Sequence, residues 1–179
     1  MSVDVSSLES WYRNYADDVY TFLAYFLTNH DVDDLVQETF ARGLRGIRTY
    51  DGAASPKTWL MRIAHNVAID HVRRHHPALL SDDLIESMAG TEPDVSETVI
   101  GRDEAEQMLT YLASIKRAYR QVVVLRTILD YSIRDTAAVL GWSESKVSVT
   151  YHRALKALRH RLQRTEVRYG DEEDEEKVY

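Results

Sequence analysis

The sequence contains no cysteine. That excludes a disulfide framework and any cysteine-based zinc site, and fits a reducing compartment, so the cytoplasm is the expected location. No apolar stretch approaches the ~20 residues that a membrane helix needs; the longest is residues 20–27. The opening residues Met1-Ser2-Val3-Asp4 carry neither a basic nor an apolar segment, so no signal peptide is expected. Any link to a membrane is then expected to run through a partner. No P-loop, nucleophile elbow or carboxylate dyad is present, and the chain is read as a non-enzyme with no catalytic residues, cofactor, metal or small-molecule substrate.

Positive charge is also short overall, with a net charge of −7. The mean conceals an asymmetry. Residues 141–169 hold seven Lys/Arg against two acids, residues 77–101 hold six acids and no Lys/Arg, and residues 171–176 are six consecutive acids. Basic elements are thus separated by acidic connectors. Glycine and proline number only seven and three. Pro77, Gly90, Pro93 and Gly101 fall in the acidic stretch, which reads as a linker between two helical blocks.

Strand-like alternation does not persist, whereas a 3.6-residue period recurs. Leu8, Trp11, Tyr15, Val19, Phe22 and Phe26 mark a first helix, and Val32, Leu35, Val36 and Phe40 a second. Trp59, Ile63, Val67 and Asp70 mark a third, opened by Ser55-Pro56 as cap and first-turn proline. Beyond the linker, Leu109, Leu112, Ile115, Tyr119, Val122, Val123 and Ile128 suggest one helix with a break near Ser114. Two short helices follow, giving an all-α class.

Those last two helices carry the first functional signal. Ser132-Ile133-Arg134-Asp135 resembles a capping box, Ala137 is small where helices cross, Gly141 supplies the turn and Ser143 caps the next helix. Val147, Tyr151, Ala154, Leu155, Leu158 and Leu162 are expected on the inner face of that helix. Lys146, Val149, His152, Arg153 and Lys156 are expected outside. This is a helix-turn-helix whose second helix would enter the major groove, although an αα-hairpin with a solvated basic face has the same pattern.

The second signal is Asp34-Leu35-Val36-Gln37-Glu38-Thr39-Phe40, followed by Trp59-Leu60, Ile63-Ala64, Asn66, Ile69-Asp70 and Arg73-Arg74. This succession closely resembles regions 2.2 to 2.4 of extracytoplasmic-function (ECF) sigma factors of the sigma-70 family. Lys146-Val147-Ser148-Val149-Thr150-Tyr151-His152-Arg153-Ala154-Leu155 resembles the end of their region 4.2. The resemblance implies two small helical domains joined by a flexible acidic linker. Residues 1–76 would be region 2, residues 77–104 the linker, residues 105–169 region 4, and residues 170–179 a disordered acidic tail. By its charge that tail is either a solvated end or a competitor of DNA for the basic helix.

The resemblance also implies roles. Asp34, Gln37 and Glu38 would meet core RNA polymerase, through its β and β′ subunits. The loop of residues 47–55, with Ile47, Arg48, Thr49 and Tyr50, would capture a flipped base of the −10 promoter element. Trp59, Arg62, Asn66, Arg73 and Arg74 would lie along the melted strand, with Trp59 open to a second reading as a core residue. Lys146, Ser148, Val149, His152, Arg153 and Lys156 would bind the −35 element. A membrane-anchored anti-sigma factor is the implied regulator. Departures exist: family members commonly carry basic residues where Ser148 and Thr150 stand. The usual Leu-Pro before region 4.1 is replaced by Leu112-Ala113-Ser114-Ile115, so that helix is expected to run longer. Two rivals remain open at this stage. One is a helix-turn-helix regulator that acts without being a polymerase subunit. The other is a metalloenzyme using Asp70, His71, His75 and His76.

Overall fold

The computed structural model describes residues 5–75 and 104–175, with the side chains of 8–75 and 105–163. The linker expectation for residues 77–104 therefore falls almost wholly outside the described residues. Among them every regular element is helical: α1 (Val5–Leu27), α2 (Asp33–Gly46), α3 (Pro56–His75), α4 (Glu104–Ala113), α5 (Arg117–Val123), α6 (Ile133–Leu140) and α7 (Glu144–Glu175). A 3₁₀ turn at Ile47–Thr49 follows α2, and a wide π turn at Val124–Ile128 continues α5.

The first block is a three-helix unit. Val19, Phe22, Leu23 and Phe26 of α1 are fully buried against Leu60, Met61, Ala64 and Ala68 of α3. Where α2 crosses α3, Gly43 is required: a Cβ there would meet Leu60 Cδ2 at 3.2 Å. The local signals read from sequence operate as expected. Ser55 Oγ accepts from the Thr58 N–H at 3.1 Å with Pro56 opening α3. Asp33 and Asp34 occupy the first turn of α2, where the helix dipole favours acids.

The second block breaks near Ser114, as the periodicity suggested, and the longer helix expected from the missing Leu-Pro does not form. α4 ends at Ala113, and residues 114–116 form a turn before α5. The cause is Arg120. Its guanidinium donates to the carbonyls of Leu112 at 2.8 Å, Ala113 at 3.3 Å and Ile115 at 3.2 Å. These are the carbonyls that a helix end leaves without intrahelical donors. A fourth bond reaches the Phe26 carbonyl at the end of α1, 3.0 Å away, so the same side chain ties the second block to the first.

The two blocks share one core. Leu112, Val122, Val124 and Leu125 are fully buried in the cluster that holds Phe22 and Phe26. Between them His65 Nε2 meets Gln121 Oε1 at 3.0 Å, with the Phe22 and Phe26 rings 6.4 and 6.0 Å from the imidazole. Burial holds the His65 pKa below its ordinary value, against the opposite pull of hydrogen bonds to Gln121 and Asn66. At the other end, α7 runs to Glu175, so the expected boundary at residue 170 is not a helix end.

Two outcomes follow from this packing. Arg120→Ala should lower the free energy of unfolding by roughly 3 kcal/mol, since hydrogen bonds from a charged donor are worth about 1.5–3 kcal/mol each and several are lost together. Arg120→Lys should recover little, because an ammonium cannot match the planar fork; urea denaturation of the three proteins measures both. For His65 the folded pKa lies below the unfolded one, so the unfolded chain binds the proton more readily. Its contribution is full above pH ~6.5 and is lost as pH falls through that value toward the depressed folded pKa. His65→Gln should flatten the difference in urea midpoint between pH 8 and pH 5 relative to the parent.

Candidate nucleic-acid interface

The helix-turn-helix is built by its caps. Ser132 Oγ accepts from the Asp135 N–H at 3.0 Å and in turn donates to Asp135 Oδ2 at 2.5 Å. Gly141 takes φ +67°, a left-handed conformation that ends α6 at little steric cost only for glycine. The Trp142 N–H returns to the Ala137 carbonyl at 3.0 Å, and Ser143 Oγ accepts from the Lys146 N–H at 3.2 Å to open α7.

On α7, Val147, Thr150 and Ala154 are buried, with Tyr151 and Leu158 half-buried beside them. The inner face differs from the expected one. Leu155 and Leu162 are 38% and 42% exposed, and Thr150 takes the inward position. Leu155 follows Ala154 by one residue, about 100° around the helix, and so turns away from the stripe. The outer face carries Ser148, Val149, His152, Arg153 and Lys156, all exposed, with Val149 at 50%. Lys146 lies at the upper end of that face with Nζ 4.1 Å from the centroid of the Trp142 ring.

Trp142 was not anticipated. The signal was a tryptophan four residues before a lysine across a helix start. A cation in the first turn of a helix opposes the dipole, and a ring–cation contact worth about 0.5–1 kcal/mol offsets that.

In the first block, Trp59, Arg62, Asn66 and Arg73 step by three, four and seven residues along α3. Arg62, Asn66, Arg73 and Arg74 are exposed. Arg73 NH1 lies 3.6 Å from Asp70 Oδ1. Trp59 is half-buried and shares an aromatic cluster with Trp11 and Tyr50, at centroid distances of 6.0 and 5.3 Å. Trp59 therefore packs its ring against the core while part of it stays exposed.

The loop after α2 sorts its residues. Arg48 and Thr49 are exposed, Tyr50 is half-buried with its hydroxyl donating to the Ala54 carbonyl at 2.5 Å, and Ile47 is only 4% exposed. Ile47 is corrected from a surface contact to a core residue. It is the apolar anchor that holds the loop to the block.

On α2, Asp34 and Gln37 are exposed, whereas Glu38 is engaged. Glu38 Oε1 accepts from Arg42 Nε at 2.7 Å and from Arg45 NH2 at 3.3 Å, and Arg42 NH1 continues to Asp70 Oδ2 at 2.7 Å. The Arg42 guanidinium keeps the Glu38 carboxyl below its usual pKa. The acids of this face are therefore presented unequally: Asp34 is exposed, while the charge of Glu38 is answered within the block.

Among the described residues no group of His, Cys, Asp and Glu could hold a metal ion. The His71 and His75 rings lie against each other at 4.3 Å, and His75 Nδ1 is 2.9 Å from the His71 carbonyl oxygen. No helix among the described residues is long and apolar enough to cross a membrane.

Comparison with known proteins gives two family matches in chain order, Sigma-70 region 2 over residues 11–77 and Sigma-70, region 4 over residues 105–158. The chain is 34% identical over 160 residues to the ECF RNA polymerase sigma factor SigX of Bacillus subtilis, covering 85% of this chain and 81% of that protein. It is 31% identical to the ECF RNA polymerase sigma factor SigM of the same organism, covering 87% and 96%. Two solved structures share the fold. One is the sigma factor RpoE in complex with the anti-sigma factor NepR from Bartonella quintana, with TM-score 0.70, 18% identity and coverage of 89% and 98%. The other is CnrH in complex with the cytosolic domain of CnrY, with TM-score 0.67, 24% identity and coverage of 90% and 91%. A stand-alone helix-turn-helix regulator would not account for the region 2 match over the first block. The chain belongs to the sigma-70 family, as an RNA polymerase sigma factor of the ECF group.

Proposed function

We propose that this sigma factor reads the −35 element with the outer face of α7, follows the melted −10 strand along α3, and meets core polymerase through α2. The observation that carries the reading is the exposed row Ser148, Val149, His152 and Arg153 on the second helix of a doubly capped helix-turn-helix. Base edges in the major groove are read by short polar and apolar groups, phosphates by cations. Val149 fits a thymine methyl, Ser148 and His152 fit base edges, and Arg153 and Lys156 fit the phosphates. With no basic residue at 148 or 150, Lys146, held by the Trp142 ring, supplies the cation at the start of the helix.

In the first block, Arg48, Thr49 and Tyr50 border the Trp11–Tyr50–Trp59 cluster, an aromatic wall on which an unstacked base can rest. Holding a base out of its stack costs a few kcal/mol, and stacking of about 1–3 kcal/mol per base offsets it. Arg62, Asn66, Arg73 and Arg74 then track the strand. Asp34 and Gln37 are the leading contacts to the β and β′ subunits, with Glu38 shaping the same face through Arg42. The protein works in the cytoplasm without catalysing a reaction of its own or holding a cofactor. A membrane-anchored anti-sigma factor is its regulator; the solved structure of a sigma factor of the same fold bound to the anti-sigma factor NepR supports a partner of that class.

Run-off transcription with core polymerase tests the reading: specific transcripts should appear only when both proteins are present, and their absence on every promoter selected from random sequence would refute it. Three finer outcomes are expected. Asp34→Lys should weaken core binding in a pull-down, with Asp33→Lys weaker in effect. Arg153→Ala should lower affinity for all promoters about equally and reduce the salt slope by roughly one. Val149→Ala should instead lose on the order of 1 kcal/mol only where a thymine stands at its position. Equal shifts on every promoter would remove Val149 from base reading.

A further inference from the structure

The face of α2 assigned to polymerase and the face of α3 assigned to the melted strand are joined by charge. Arg42 Nε donates to Glu38 Oε1 at 2.7 Å, one turn back on α2, and its NH1 donates to Asp70 Oδ2 at 2.7 Å across the helix crossing. The other oxygen of Asp70, Oδ1, lies 3.6 Å from Arg73 NH1, one turn on along α3. Arg45 NH2 closes the near end on Glu38 Oε1 at 3.3 Å. Two carboxylates are thus shared among three guanidiniums, and Arg42 is the member common to both. Arg74, beside Arg73 and exposed, pairs with no carboxylate among the described residues.

The links are unequal. At 2.7 Å both bonds of Arg42 are charge-assisted hydrogen bonds, whereas 3.6 Å leaves Arg73 an ion pair without one. Arg42 is also the least exposed member, its side chain 27% accessible against 66% for Arg73. A cation brought to Glu38 by a partner must share that carboxylate with Arg42 and Arg45. As Arg42 is displaced, its donors turn to Asp70, whose carboxylate a guanidinium can take by both oxygens at once. Oδ1 is then the contested atom, and Arg73 is the weaker claimant. The reverse holds as well. A phosphate that draws Arg73 away leaves Asp70 wholly to Arg42, and Glu38 is freer to meet a cation.

We propose that Arg42 and Asp70 are positioning residues that couple the polymerase face to the strand face: in the free protein Asp70 holds Arg73 back from nucleic acid, and a basic side chain of polymerase at Glu38 releases it. This rests on the assignment of α2 and α3 above and names the groups through which the two contacts favour each other. Coupling between binding sites is reciprocal, so engagement of the strand by Arg73 strengthens core binding by the same factor. The pairs are partly exposed, and such pairs contribute little individually, so the factor expected is roughly threefold. Salt screens it further.

Binding of a fluorescent single-stranded −10 oligonucleotide, measured by anisotropy at low salt for the free protein and for holoenzyme, tests the relay. Asp70→Asn keeps the size of the side chain and an acceptor for Arg42 but loses the charge that detains Arg73. It should raise the free protein's affinity for the strand roughly threefold and reduce by the same factor the gain that core confers. Glu38→Gln perturbs only the exposed end of the network and should act in the same direction, which keeps the test decisive if Asp70→Asn lowers the thermal midpoint. A general loss of negative charge would also raise affinity, and the two neighbouring arginines separate the causes. In an Arg74→Ala background either substitution should keep its full effect; in an Arg73→Ala background it should have none. Equal effects in the two backgrounds, or no effect in either, would overturn the proposal. Holoenzyme whose strand binding is indifferent to Asn66→Ala and Arg73→Ala alike would overturn the strand assignment and the relay with it. Binding that needs Asn66 and Arg73 but ignores Asp70→Asn and Glu38→Gln removes the relay alone.

Discussion

The guanidinium of Arg120 sets the geometry on which the second block and its attachment depend. It gathers the carbonyls of Leu112, Ala113 and Ile115 at the end of α4 and the carbonyl of Phe26 at the end of α1. Four peptide oxygens are answered by one fork of donors, the Leu112 carbonyl also accepting from the Ile115 N–H at 3.3 Å. Because these acceptors belong to three segments, the turn at residues 114–116, the start of α5 and the docking onto α1 are fixed together. The caps that build the helix-turn-helix then act on an already oriented frame.

From that frame the apolar groups contribute most of the driving force and the polar groups contribute the specificity. Phe22, Phe26, Leu112 and Leu125 are fully buried whichever way the seam between the blocks is viewed. An apolar surface alone tolerates sliding. His65 against Gln121, Thr58 against Asp135 and Tyr131 against the Lys57 carbonyl each have a single matching position, and a shift of one helical turn would strand all three. Stranded buried polar groups cost about 1–3 kcal/mol each, comparable with a large part of a domain's net stability.

How much of this was legible in the sequence follows from the range of each interaction. The caps at Ser55, Ser132, Gly141 and Ser143 act over three or four residues, and each was readable because its donor and acceptor stand side by side in the chain. The helical stripes of α1, α2 and α3 were readable for the same reason. The family and its two blocks were carried by the strings around Asp34–Phe40 and Lys146–Leu155. What was not legible is long-range. His65 and Gln121 lie 56 residues apart, and Arg120 and Phe26 lie 94 apart. In sequence Arg120 is one more solvated cation, and Ile47 one more loop residue. Leu155 was misplaced because a hydrophobic identity was allowed to outweigh its angle on the helix. Glu38 was assigned with Asp34 and Gln37 to the polymerase-facing side, and its pairing with Arg42 and Arg45 went unread.

The same reasoning on range bears on the acidic run at residues 171–176, for which the charge pattern left two readings, a solvated end or a competitor of DNA at the basic helix. The second reading assumed that the acids could fold back within a few residues. Continuous helix to Glu175 removes that freedom. At 1.5 Å per residue, the backbone at Asp171 stands about 27 Å from that at Arg153 and about 22 Å from that at Lys156. The Debye length at physiological salt is about 8 Å, so charge at those distances is largely screened. While the helix holds, the backbone of residues 171–175 stays beyond that range of the backbone at Arg153 and Lys156.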